Sequence, residues 1–163
     1  MTRIVTGFIF LWAFLDKTFG LGFSTPAAKA WIRGGSPTSG FLGHSDTGPL
    51  RGLFQALAGV PLVDWLFMAG MLGVGVAVIP GAGMRIAAVA GTVILMGMWA
   101  AEWPLAQLTA SGAASGSTNP LIDYHIIYAV VLISLALLHA GRTWGLGQIW
   151  ERTSLAKQQP WLV

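Results

Sequence analysis

The sequence predicts an all-α integral membrane protein, a four-helix transmembrane bundle with short interfacial helices in the first outer loop. Three observations carry this. The 163 residues are 55% hydrophobic and only 9% charged, where soluble domains run at about 25% charged. The mean hydropathy is +0.69. Four apolar runs, residues 4–21, 62–79, 84–103 and 120–141, approach the roughly 20 residues that a membrane span needs. The length fits one domain over 1–163.

The first run follows Arg3 and reaches spanning length only if Asp16 and Lys17 lie within it. A signal peptide is the competing reading, with Ala28-Lys29-Ala30 as a small-x-small cleavage site. That site lies far from the apolar core, so the run is taken as the first span. The connection 22–60 holds two short helices. One begins at Thr25-Pro26 and stops at Gly34, and Trp31 is its interfacial anchor. The other begins after Thr47-Gly48-Pro49, with Leu50, Leu53, Phe54 and Leu57 on one face. Both are too short to span.

The second and third runs are joined by Pro80-Gly81-Ala82-Gly83, a turn tight enough to make them antiparallel neighbours, and Pro104 stops the third. Ala69, Gly73 and Ala77 on one, and the pairs Ala87-Gly91 and Gly97-Ala101 on the other, form small-xxx-small stripes that let backbones approach in lipid. A Ser/Gly/Ala connection leads to the fourth run, and residues 142–163 form a polar tail containing Trp144, Trp150 and Trp161.

Composition also excludes. The absence of cysteine removes disulfides, thiolate metal sites and cysteine nucleophiles. A net charge of +3 without a basic stripe argues against nucleic acid. His139 lies a membrane thickness from His125 and His44 lies in a loop, so neither a bis-histidine haem nor a metal site is expected.

Four spans put both termini on one side. Arg3, Arg85, Arg142, Arg152, Lys157 and the single acid Glu151 go with them, five basic residues against Lys17, Lys29, Arg33 and Arg51 on the other side, which places the termini in the cytoplasm and the chain in the cell membrane. The remaining acids fall on the outer side. Asp64 and Asp123 read as solvated residues at helix N-termini, favoured by the dipole. Asp16 and Glu102 lie near helix C-termini, where the dipole disfavours an anion. Intramembrane acids usually face the bundle interior and find a partner. Asp16, Glu102 and His125 are therefore expected to form one outer polar site, with Arg33 or Arg51 folded over it and Lys17 and Lys29 nearby. Trp12, Trp99, Trp103, Tyr124 and Tyr128 border these groups and offer an aromatic pocket suited to a flat ring.

Four stretches carry a family resemblance: Phe10-Leu-Trp-Ala-Phe-Leu-Asp-Lys-Thr-Phe-Gly-Leu-Gly-Phe, Trp31-Ile-Arg-Gly-Gly-Ser-Pro-Thr-Ser-Gly-Phe-Leu, Asn119-Pro-Leu-Ile-Asp-Tyr-His and Trp144-Gly-Leu-Gly. The chain resembles the DoxX/DoxD membrane proteins over nearly its whole length. DoxD is the membrane subunit of a thiosulfate:quinone oxidoreductase. The resemblance implies an exchangeable quinone as electron acceptor and thiosulfate as donor. On that basis His125, Asp16 and Glu102 are the expected catalytic residues, and Arg33, Arg51, Lys17, Trp103 and Tyr128 the expected substrate contacts. A non-catalytic subunit of a membrane redox complex is the alternative, and a small transporter a third. Expected partners are the bilayer, redox-complex subunits or further copies of the chain.

Overall fold

A computed structural model describes every residue from Met1 to Val163. The protein is all-helical, with one isolated bridge between Leu108 and Ala114 and no strands. The long helices are α1 (Thr2–Phe19), α4 (Pro61–Val78), α5 (Met84–Glu102) and α6 (Tyr124–Leu137). Between α1 and α4 lie α2 (Ser39–Gly43) and α3 (Arg51–Leu57), and the tail forms α7 (Gly147–Glu151) and α8 (Ser154–Gln158).

Two of these helices, α4 and α5, are long and apolar enough to cross a membrane by length and composition. The helix α1 is as long as α4 but carries Arg3, Asp16 and Lys17. The fourth helix is shorter than its apolar run. It occupies Tyr124–Leu137 rather than 120–141, and its 14 residues rise about 21 Å, against roughly 30 Å of hydrocarbon. Its start is delayed because the Asn119 side chain accepts from Leu121 N–H (3.0 Å) and Ile122 N–H (2.9 Å), a local turn that competes with helix. Its end comes early, where His139 takes a left-handed conformation (φ 49°).

The other ends follow from sequence. Pro61 opens α4 at a position where its missing N–H costs nothing. Gly20 (φ 65°) closes α1 by donating to the Asp16 carbonyl, two residues earlier than the apolar run implied. Trp103 ends α5 in the left-handed region (φ 47°), and Pro104 after it bars further helix. The stretch expected as one helix after Pro26 is two 3₁₀ turns, Ala27–Lys29 and Trp31–Arg33, ended by Gly34 (φ 87°). The ring of Trp31 packs edge-on against Trp65 at 4.6 Å.

In the bundle, α1 packs on α4, α4 on α5 and α5 most extensively on α6, while α1 and α6 meet only slightly. Phe10, Met71, Val74, Val78, Leu95 and Leu132 are core members. Glycines bring the backbones of α1 and α4 close together. A Cβ on Gly75 would lie 2.9 Å from Leu11 N, and one on Gly7 2.9 Å from Ile79 N. This corrects the small-residue stripes in part: Gly73 and Gly97 face open space, whereas Gly91 sits against Leu132, Val74 and Phe10.

The polar tail is folded against the bundle. Trp150 Nε1–H donates to the Leu162 carbonyl (3.1 Å), Arg85 donates to the Trp161 carbonyl (3.3 Å), and Leu162 is buried. Arg3, also buried, donates to the carbonyls of Ala140 (2.9 Å) and Trp144 (2.7 Å). Both termini therefore sit at one end of the bundle. The Arg142–Glu151 hydrogen bond (2.6 Å) raises the pKa of Arg142 above its ordinary value.

Candidate functional site

At the opposite end, the α5 C-terminus and the α6 N-terminus bring Glu102, Asp123, Tyr124 and His125 together. Asp123 is the cap of α6. Its Oδ1 accepts from His125 N–H (3.0 Å) and Ile126 N–H (3.2 Å), satisfying amides that a helix start leaves without partners. Its Oδ2 lies 2.7 Å from His125 Nδ1. His125 is wholly buried, and its Nε2 has no partner. Glu102 Oε2 is 3.9 Å from the same Nδ1, and Glu102 Oε1 accepts from Tyr124 O–H at 3.0 Å. The Tyr124 ring lies 4.0 Å from the imidazole and 6.1 Å from the ring of Tyr128.

A cavity of about 560 Å³ opens over this cluster, with His44, Asp46, Glu102, Asn119, Asp123 and Tyr124 among its walls. No lysine or arginine lines it. The loop that carries His44 and Asp46 is fixed there by Ser45, which donates to the Ala101 carbonyl at 2.7 Å, and by Asp46, which accepts from Ala110 N–H at 3.2 Å.

Of the residues expected at one outer site, the structure joins Glu102 and His125 and leaves Asp16 out. Asp16 is buried, but its carboxylate accepts from Phe23 N–H (3.2 Å), Ser24 N–H (2.9 Å) and Ser24 O–H (2.6 Å), closing the turn after α1. Its burial is explained by those bonds, so it needs no ligand. Arg33 and Arg51 do not fold over the cluster; both are exposed and make no ion pair. Lys17 is half-buried and Lys29 exposed, and neither lines the cavity. The Trp103 ring lies over Gly48, where a Cβ would come within 2.7 Å of it, and packs edge-on against Trp99 at 5.8 Å. Tyr128 packs against the apolar core.

Two readings of the acids also change. Asp123 is a helix cap as expected, but one that holds an imidazole as well. Asp64 is not solvated: it is buried and accepts from Ser36 O–H (2.9 Å), Thr38 O–H (2.6 Å) and Thr38 N–H (3.1 Å). The sequence reading missed His44 and Asp46. Their signal was weak, since two polar residues in a glycine-rich loop look alike whether or not they face a cavity.

Chemically, the arrangement is an imidazole oriented by a carboxylate. A Nδ1–H donated to Asp123 leaves the Nε2 lone pair free to accept a proton. Glu102 and Tyr124 connect that imidazole to the cavity. The chain matches no protein-family profile, no curated protein and no solved structure.

Proposed function

We propose that this chain is a DoxX/DoxD-like membrane protein whose four apolar runs span the cell membrane, the short α6 completed by its apolar flanks over 120–141, with both termini in the cytoplasm, and which handles protons for a quinone. The membrane part is supported by the outward faces of the long helices. Leu62, Leu66, Val89, Val93, Val130 and Leu137 are each more than half exposed, far more apolar surface than a soluble monomer leaves uncovered. The orientation is supported by basic residues: Arg3, Arg85, Arg142, Arg152 and Lys157 sit at the terminal end, five against the four at the other, Lys17, Lys29, Arg33 and Arg51.

The observation that carries the redox part is His125, buried beside the Tyr124 ring, tethered at Nδ1 and unpartnered at Nε2. Reducing a quinone consumes two electrons and two protons. Oxidation of two thiosulfates to tetrathionate would supply the electrons, and a protonated His125, refilled from the cavity through Glu102, would pass a proton to the quinone oxygen. The thiosulfate half has thinner support. A dianion is repelled by the cavity carboxylates, and the free cations Lys29, Arg33 and Arg51 lie outside the cavity. That same fact favours the accessory-subunit reading, in which a partner protein delivers the electrons.

The test is quinone reduction by purified protein with thiosulfate as donor. Turnover by the wild type and its loss in His125→Gln support the enzyme. Full turnover in His125→Gln removes the site. No turnover alone, with turnover restored by a co-purifying partner, supports the accessory reading.

A further inference from the structure

We propose that Glu102, Asp123 and His125 bind a divalent transition-metal ion at the floor of the cavity. Two carboxylates and an imidazole converge here, one ligand atom from each lying within 4.8 Å of the others. They come from the end of one helix and the start of the next, so the backbone fixes their spacing. Ligand atoms about 2.0–2.2 Å from a common ion sit roughly 3–3.5 Å apart. Glu102, whose side chain is 38% exposed, can swing in to meet that spacing, while Asp123 and His125 are held by the helix cap.

Charge makes the same demand independently. The two carboxylates bring like charge close together, which a cation between them offsets. No lysine or arginine lines the cavity, and neither carboxylate pairs with one. The third member of the cluster is not an acid at all. It is a fully buried imidazole that turns Nδ1 towards both carboxylates and has no partner at Nε2. A cation replaces the Nδ1 proton, neutralises the pair and fixes the tautomer, leaving Nε2 as an N–H donor.

One nitrogen and two carboxylates, with room above for water, suit Mn²⁺, Fe²⁺, Co²⁺ or Zn²⁺ better than the all-oxygen shells of Mg²⁺ and Ca²⁺. His44 and Asp46, across the cavity, are further donors that could be drawn in. The low histidine count that argued against a metal at the sequence level is met here by carboxylates.

The proposal stands on donor geometry and not on the quinone reading; with the ion on Nδ1 and Glu102, proton relay through Glu102 to His125 is closed, so the bound ion and the relay are alternative states of one site. Its test is calorimetric titration of tag-free, chelator-treated protein in detergent with Zn²⁺, followed by the visible spectrum of the Co²⁺ form. One ion per chain is expected. Its affinity should fall about tenfold or more in each of Glu102→Gln, Asp123→Asn and His125→Gln, and should not change in His139→Gln. Glu102→Gln is partly exposed and removes no cap, so it reports even if the other two fold poorly. No binding by the wild type overturns the site, and so does binding undiminished in Glu102→Gln, which means an adventitious ion only. A metal-free protein that still binds quinone would leave the proposed function standing.

Discussion

Asp123 grips His125 twice, accepting the backbone N–H through Oδ1 at 3.0 Å and facing ring Nδ1 through Oδ2 at 2.7 Å. One carboxylate therefore both starts α6 and orients the imidazole. The ring position depends on the cap, and the site is only as well ordered as the first turn of that helix.

Replacing Asp123 should separate the two roles. Asp123→Ala loses the cap, worth about 1–2 kcal/mol, and strands Nδ1 at a further cost of about 1–3 kcal/mol. Asp123→Asn keeps a capping oxygen and should cost less than half as much. Denaturant unfolding in micelles measures both. Equal losses in the two variants would mean that the cap contributes little.

Asp16 should behave as a structural residue. Its carboxylate accepts three hydrogen bonds from residues 23 and 24, and Asp16→Ala should destabilise the protein by about 2–4 kcal/mol. Any folded fraction should retain the properties of the His125 site. A variant with normal stability and abolished quinone chemistry would return Asp16 to the catalytic role that its sequence position first implied.

Gly48 should tolerate no side chain. Its φ of 83° is left-handed, and a Cβ would press on the Trp103 ring at 2.7 Å. Gly48→Ala should cost about 1–3 kcal/mol and alter the tryptophan fluorescence. An unchanged melting curve would show that the 44–48 loop moves freely, which would also loosen the cavity wall.

Arg3 should hold the tail. Arg3→Met removes the charge-assisted bonds to the 140 and 144 carbonyls, and proteolysis after Gly141 should accelerate about tenfold or more. Cleavage at the wild-type rate would show that Leu162, Trp150 and the Arg85 bond to Trp161 hold the tail without Arg3.

These residues also show what the sequence could reveal. The central helices were legible because Pro61, the Pro80–Gly83 turn and Pro104 punctuate two uninterrupted apolar runs. The pairing of Glu102 with His125 was legible from depth, since an acid at a helix C-terminus needs a reason. Asp16 misled because its partners are two amides and a hydroxyl a few residues on, and no apolar pattern announces such a turn. Arg33 and Arg51 misled because a loop's length says how far a side chain can reach and not where it points. The late start and early end of α6 were hidden for a similar reason: Asn119 just before the apolar run and His139 within it act through local backbone geometry.

The most direct test of the central claim is quinone binding by the purified protein, followed by quenching of its tryptophan fluorescence, in wild type and His125→Gln. Saturable binding that weakens about tenfold or more in the variant is the expected result, matching the loss of one hydrogen bond to a charged or strongly polar partner. Equal affinity in the two proteins would contradict it and move any quinone away from the Asp123–His125 end of the bundle.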